Sequence, residues 1–229
     1  MTRSQFFLKG AVDLTAAWLG LTILIAPLAI VALLIRLTSR GPALFIQLRV
    51  GRHGRLFRCV KFRTMRADAG QERTVTTIHD PRITPLGRVL RRFKVDELPQ
   101  LWNVLLGDMS LVGPRPDVPG YADRLRGTDR RLLELRPGIT GPASLSFRRE
   151  DEILAMVTDP QAFNDAVIFP KKVKMNLEYL EGWAFWKDLA YVAATVFPPF
   201  IPWAGLPDPT CEDLTRLVSD VGGPASPSR

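Results

Sequence analysis

The stretch "AVDLTAAWLGLTILIAPLAIVALLI", Ala11 to Ile35, decides how the rest of the chain is read. Apart from Asp13 and a few small polar side chains it is apolar, and it is long enough to cross a hydrocarbon core about 30 Å thick. A cleaved signal peptide is not expected, because the run is too long and no small-residue cleavage site follows it. A buried core helix would ordinarily be shorter. Basic residues flank both ends, Arg3 and Lys9 before it and Arg36 and Arg40 after it, so charge assigns no orientation. Pro27, preceded by Ala26, lies near the middle, where it removes a backbone donor and kinks or breaks a helix. A helix broken there could dip into the bilayer and return to the same face, provided its freed backbone groups are satisfied locally. On these residues a spanning and a re-entrant helix both stay open.

Past Gly41-Pro42 the pattern shortens. "ALFIQLRVG" and "RLFRCVKFRTM" read as two strands joined by the turn "GRHG", a hairpin. Arg66 to Thr84 is polar and reads as loop. "PLGRVLRRF" carries Leu86, Val89, Leu90 and Phe93 at helical spacing, with Pro85 in its first turn. "DELPQLWNVLLGD" reads as a second helix with Asp96 as N-cap, and Pro99 is tolerable there only in the first turn. "SLVGPRPDVPG" is too rich in Pro and Gly for regular helix. "GTDRRLLELRPGITG" predicts a short helix ending at the turn "RPGITG". Glu150 to Glu181 predicts helix with interruptions near Pro160 and Pro170. "WAFWKDLAYVAATVF" suits a membrane interface or a core equally well. From Gly205 the composition predicts a loosely ordered tail.

Within 229 residues the chain is 46% hydrophobic and 24% charged, which suggests a charged globular body joined to the apolar segment. A net charge of +8 points to an anionic partner, whether nucleic acid, anionic lipid or phosphate-rich substrate. Two cysteines without CxxC spacing argue against a disulfide framework or a zinc site and fit a reducing compartment. Two histidines leave little for a His-based metal centre or triad.

The chemistry concentrates in "RRFKVDELPQLW", Arg91 to Trp102. Asp96 and Glu97 are adjacent, so on a helix their side chains diverge by about 100°. They can still share one Mg²⁺ if the first turn opens onto a cleft. A helix N-terminus would lower the pKa of Asp96 and keep it ionised. The plainer reading is a capping Asp with a Glu that complements the helix dipole. Lys61 and Arg63 in "KFRTM" alternate with apolar residues, which would place both cations on one strand face. In "GPRP", Arg115 lies between Pro114 and Pro116, a stiff setting for a guanidinium that binds phosphate, or an ordinary surface turn. Gly138 and Gly141 in "RPGITG" permit close backbone approach.

Taken together, "RVGRHGRLFRCVKFRTM", "DELPQLWNVLLGDMSLVGPRP", "RPGITGPASLSFR" and "YLEGWAFWKDL" occur in the order seen in bacterial sugar transferases, the monotopic phosphoglycosyl transferases, which this chain closely resembles from about Lys9 to Phe197. The resemblance implies an α+β, mostly helical fold: an N-terminal re-entrant membrane helix, a small β-hairpin, cytosolic catalytic helices and amphipathic interface helices. It divides the chain into a membrane segment 1–40, a catalytic domain 41–200 and a tail 201–229. It implies transfer of a sugar-1-phosphate from a UDP-sugar to a polyprenyl phosphate, with undecaprenyl phosphate the expected acceptor, and release of UMP. Asp96 would be the nucleophile, forming a phosphosugar-enzyme intermediate, and Asp96 and Glu97 would hold Mg²⁺. Lys61, Arg63, Arg91, Arg115 with its flanking Pro114 and Pro116, and Arg148 would bind phosphate or nucleotide. The partners implied are the lipid bilayer at the cytoplasmic face of the bacterial inner membrane and no nucleic acid, with a homodimer left open. The chain departs from the family at Ala26, where many members have Ser, and at "GITGPASLSFRRED", where many have a Trp-Ala-Gln-Val run and an Asn-Gly-Arg turn.

Overall fold

The computed structural model describes residues 1–66 and 80–197. Most of the stretch read as loop between Arg66 and Thr84, and the whole of the expected tail, lie outside the described residues.

The apolar segment forms one long helix, α1 (Arg3–Thr38). Thr2 starts it with a capping box: its hydroxyl accepts from the Gln5 N–H, and the Gln5 side chain accepts from the Thr2 N–H. The expected break at Pro27 is absent, and the helix continues through it. The reason lies in packing on both sides of the proline. Ala17, Leu21 and Leu24 pack with Phe57, Leu101, Val104 and Met109, while Leu28, Val31, Ala32 and Ile35 pack with Phe62 and Leu90. These positions recur every three or four residues, so one stripe of α1 rests on the body along most of its length. The opposite stripe, including Ile23, Ile30 and Leu37, is exposed and apolar.

The hairpin is present as expected, with β1 (Leu44–Val50) antiparallel to β2 (Leu56–Phe62). Helix α2 (Pro85–Arg92) follows, capped by the Thr84 hydroxyl, which accepts from the Gly87 N–H at 2.9 Å. The second helix is not the one expected from Asp96 onward. Val95–Gln100 is a 3-10 segment, and only Leu101–Leu105 (α3) is α-helical. Two strands went unread within the Pro/Gly-rich stretches: β3 (Ser110–Val112) and β4 (Gly138–Thr140) pair in parallel. Glycine allows this crossing, since a Cβ on Gly138 would lie 2.1 Å from the Gly113 nitrogen. Gly127–Glu134, expected as a short helix, is 3-10.

From Glu150 to Glu181 the chain is helical with one interruption, before Pro160. Helices α4 (Pro142–Ser146), α5 (Glu150–Ala155) and α6 (Pro160–Phe163) are short. A π-helical turn, Asn164–Ile168, joins α6 to α7 (Phe169–Glu181), so Pro170 sits in a first turn rather than ending a helix. The aromatic segment forms α8 (Phe185–Val196), which is partly core. Asp188, Tyr191 and Ala194 are buried, while Phe185, Trp186, Leu189 and Val196 are exposed.

A buried polar network ties the start of α1 to this half. Lys9 Nζ donates to Asp188 Oδ2 at 2.6 Å, and Tyr179 and Trp183 donate to the same carboxylate at 2.6 and 3.0 Å. Asp13 accepts from the Ser110 hydroxyl at 2.6 Å and the Leu111 N–H at 3.2 Å, which reaches β3.

Candidate active site

The site is assembled where the end of β2, the turn after α2 and the loop after β3 meet. Helix α2 is pressed against the residues following β2: a Cβ on Gly87 would fall 2.1 Å from the Thr64 carbonyl oxygen, so only glycine fits. That contact brings Arg91 over Thr64, and its Nε donates to the Thr64 hydroxyl at 2.9 Å. Beyond α2 the chain reverses at Lys94, a non-glycine residue in the left-handed region (φ 56°, ψ 19°). The 3-10 segment then turns Asp96 and Glu97 inward, and both are buried. Asp96 is therefore inside the turn rather than an N-cap, and it makes no capping hydrogen bond.

Arg115 approaches from the other side. Its Nη1 donates to Glu97 Oε2 at 3.2 Å and its Nη2 to Glu97 Oε1 at 2.6 Å, a two-pronged pairing that suits the guanidinium fork. The loop that carries it is pinned at both prolines. The Pro114 carbonyl accepts from Gly138 N–H at 2.7 Å, and the Pro116 carbonyl accepts from Arg49 Nη1 at 3.0 Å. The Glu97 side chain is 9% exposed and that of Arg115 45%, so the cation spans from the surface down to a buried anion.

The electrostatics differ from those of a helix start. Burial, and next the neighbouring Glu97 charge, push the Asp96 carboxyl above the usual carboxylate range, against the pull of Lys94, Arg91 and Lys61. The expectation that the helix terminus would depress Asp96 is thereby corrected: a six-residue 3-10 turn in a buried setting supplies too little to offset desolvation. Burial also pushes Glu97 up, but the Arg115 charge and its hydrogen bonds, with Lys94 and Lys61, hold it below its ordinary value. Burial, then the charges of Arg49 and Arg115, bring the Lys61 ammonium down to about 8. Burial lifts Asp117 to about 6 despite Lys172, Arg49 and Arg115 nearby.

Of the residues singled out in the sequence, Asp96, Glu97, Lys61, Arg91 and Arg115 thus converge, with Pro114 and Pro116 framing the last. Arg63 is engaged elsewhere. It lies past the end of β2, and its guanidinium donates to the carbonyls of Arg40 (2.6 Å) and Ser39 (2.8 Å), tying down the C-terminus of α1. These bonds hold its guanidinium at the end of α1, a placement that strand alternation with Lys61 did not suggest. Arg148 is exposed after α4. Ala26 and Pro27 lie on the exposed stripe of α1. Sequence reasoning passed over Thr64, Arg49 and Asp117 as parts of the site. Arg49 carried a usable signal, because it alternates with Gln47 on β1 and accordingly shares its face, and Arg49 Nη2 donates to Gln47 at 2.7 Å.

Among the described residues no group of three or more His, Cys, Asp or Glu side chains could cage a metal ion. The site does fit a magnesium ion of the kind held by one or two carboxylates together with substrate phosphates. Asp96 Oδ1 is buried without a hydrogen-bond partner, a hard oxygen left over for such an ion. Glu97 is less available, since Arg115 occupies both of its oxygens.

Comparison with known proteins gives a consistent picture. Residues 4–200 match the family model described as "Bacterial sugar transferase". The chain is 38% identical over 208 residues to "Galactosyl transferase CpsE" of Streptococcus agalactiae serotype III (strain NEM316), covering 84% of this chain and 42% of that protein. It is 40% identical over 200 residues to "Undecaprenyl-phosphate glucose phosphotransferase" of Komagataeibacter xylinus, covering 82% of this chain and 35% of the relative. A "UDP-glucose:undecaprenyl-phosphate glucose-1-phosphate transferase" of Caulobacter vibrioides (strain ATCC 19089 / CIP 103742 / CB 15) is 40% identical over 195 residues, covering 82% and 68%. The chain therefore spans less than half the length of the first two relatives.

Proposed function

Because the chain belongs to the bacterial sugar transferase family, we propose that it transfers a sugar-1-phosphate from a UDP-sugar to a polyprenyl phosphate, undecaprenyl phosphate being the acceptor named in its relatives. The observation that carries this reading is Asp96, a buried carboxylate with an unpartnered oxygen set beside the Glu97–Arg115 pair and within the field of Lys61 and Arg91.

In the first step an Asp96 carboxylate oxygen attacks the β-phosphorus. A bond forms between that oxygen and phosphorus, the bond to the bridging oxygen breaks, and UMP leaves with the electron pair. In the second step an oxygen of the lipid phosphate attacks the same phosphorus and displaces Asp96, giving the polyprenyl-diphosphate-sugar. No net proton is required in either displacement. Arg115, Lys61 and Arg91 hold the diphosphate and offset charge on the equatorial oxygens, so positioning and electrostatics carry most of the catalysis. Magnesium, when bound, would neutralise diphosphate charge and favour the ionised form of Asp96, which burial alone disfavours. Asp96, with its unpartnered oxygen, would be the better-placed ligand, and Glu97, already bonded to Arg115, would contribute negative charge nearby.

The topology we propose is re-entrant, with the unbroken α1 bent at Pro27 rather than interrupted there, and with the body on the cytoplasmic face of the inner membrane. It is supported by the anchoring of both ends of α1 to the same body, through Lys9 and Asp188 at the start and through Arg63 at the end. The exposed apolar stripe between them would meet lipid. Single cysteines placed at positions 4 and 38 should then react with an impermeant reagent from the same side. Labelling from opposite sides would rule out the re-entrant path.

The reaction is tested by offering a panel of UDP-sugars with Mg²⁺ and undecaprenyl phosphate and measuring UMP. Release is expected with at least one donor, and none from Asp96→Asn. Intact turnover in that variant would remove Asp96 as the nucleophile.

A further inference from the structure

The outer face of α2 is unusual for a short surface helix. Gly87 and Leu90 are buried, with Leu86 packed beside them, and Leu90 and Leu86 lie against Phe62 and the second half of α1. The opposite side presents Arg88, Val89, Arg92 and Phe93. Val89 is 51% exposed and Phe93 68%, one turn apart, so they form a continuous apolar strip between cations. The Arg92 guanidinium lies 5.9 Å from the Phe93 ring centroid. The strip ends at Phe93, three residues before Asp96 and next to the Lys94 reversal, and the Phe93 N–H still bonds to the Val89 carbonyl at 3.2 Å. Apolar contact and positive charge thus run together to the edge of the candidate nucleophile.

We infer that this face of α2 is the seat of the acceptor, with Val89 and Phe93 holding the first isoprene units of the polyprenyl phosphate and Arg88, Arg92 and Lys94 guiding its phosphate toward Asp96. The inference rests on the reaction proposed above and names where its lipid partner lies. Its basis is charge complementarity and continuity. An amphiphile with a phosphate head and an apolar tail matches a strip whose cations and hydrocarbon alternate. The inner side of the same helix rests on Leu28, Val31 and Ala32, next to the exposed apolar stripe of α1, where a tail leaving the strip would meet lipid. A face devoted only to water would not keep Val and Phe exposed side by side, and a face serving only bulk lipid would have no reason to end at the nucleophile.

The test uses the full chain in lipid nanodiscs and the double variant Val89→Ser/Phe93→Ser. Three readouts are compared with the parent: UMP released from the active UDP-sugar without acceptor, the KM for a long-chain polyprenyl phosphate, and the KM for a phosphate carrying a single isoprene unit. The expected result is an unchanged acceptor-free UMP burst, a KM for the long-chain acceptor raised about tenfold or more, and a KM for the short acceptor raised by less than about twofold. Vesicle flotation should be retained. An equal rise for both acceptors, no rise for either, or a loss of flotation that accounts for the rise would overturn the inference. A parent protein that releases no UMP with any donor would instead bring down the proposed reaction, so the two failures are distinguishable.

Discussion

Arg115 closes on Glu97 through both of its terminal nitrogens, at 2.6 and 3.2 Å, from a loop that joins the site only because β3 and β4 pair. The pair therefore links the two halves of the candidate site. Arg115→Met would leave a buried carboxylate unpaired, at a cost of about 1–3 kcal/mol in stability. UMP release should fall by at least about a hundredfold. Arg115→Lys would restore the charge but not the fork, and should recover stability better than turnover. Equal recovery of both, measured by thermal unfolding and UMP release, would show that the fork geometry is unimportant.

Thr64 reaches the reaction only through Arg91. Its buried hydroxyl accepts from Arg91 Nε at 2.9 Å and fixes the direction of that guanidinium. Thr64→Val keeps the shape and removes the acceptor, and it should raise the KM for the UDP-sugar about threefold to tenfold. Thr64→Ser should behave like the parent. If the two variants are equally impaired, packing rather than the hydrogen bond is what Thr64 supplies.

Gly87 has no room for a side chain. An added Cβ would meet the Thr64 carbonyl oxygen at 2.1 Å and the Thr84 hydroxyl at 2.7 Å, so α2 must move away. Gly87→Ala should destabilise the protein by at least about 2 kcal/mol despite the better helix propensity of alanine. A midpoint equal to the parent's in chemical denaturation would contradict this packing.

Asp117 gives a pH dependence with a defined sign. Its carboxyl is raised from 3.8 to about 6, so the folded chain binds that proton more tightly than the unfolded chain. Its contribution to stability is fully present below about pH 4 and is lost as pH rises through about 6. Asp117→Asn should match the parent near pH 4 and become the more stable of the two by pH 7, with the gap opening between those values. Denaturant titrations across that range measure it, and a gap that stays flat or opens in the other direction would refute the assignment.

Lys9 is buried with Asp13 and Asp188, and it bonds to the latter at 2.6 Å. Lys9→Met would leave two buried carboxylates without their cation, and should cost about 3–5 kcal/mol. Lys9→Met/Asp188→Asn should recover part of that loss, because Tyr179 and Trp183 can each still find a partner in the amide. Unfolding midpoints of the parent, single and double variants make the comparison.

The sequence by itself settled the features that depend on neighbours along the chain. The apolar run of Ala11–Ile35, the hairpin around "GRHG", the Pro85 start of α2 and the chemical identity of the Asp96–Glu97 and Arg115 positions all follow from local pattern and motif order. Tertiary structure decided what depends on residues far apart. Whether Pro27 breaks α1 was set by packing on both sides of it, through Leu24 and Leu28. Whether Arg63 joins Lys61 was set by the helix end that Arg63 meets, at Ser39 and Arg40. The parallel pairing of β3 with β4 joins residues more than two dozen positions apart and leaves no periodicity in three-residue strands. The state of Asp96 changed most. Chain position made it a cap that should be easily ionised, whereas burial beside Glu97 made it a carboxylate that resists ionisation even with Lys94, Arg91 and Lys61 nearby. Desolvation is a property of the surrounding volume, and no window of sequence contains it.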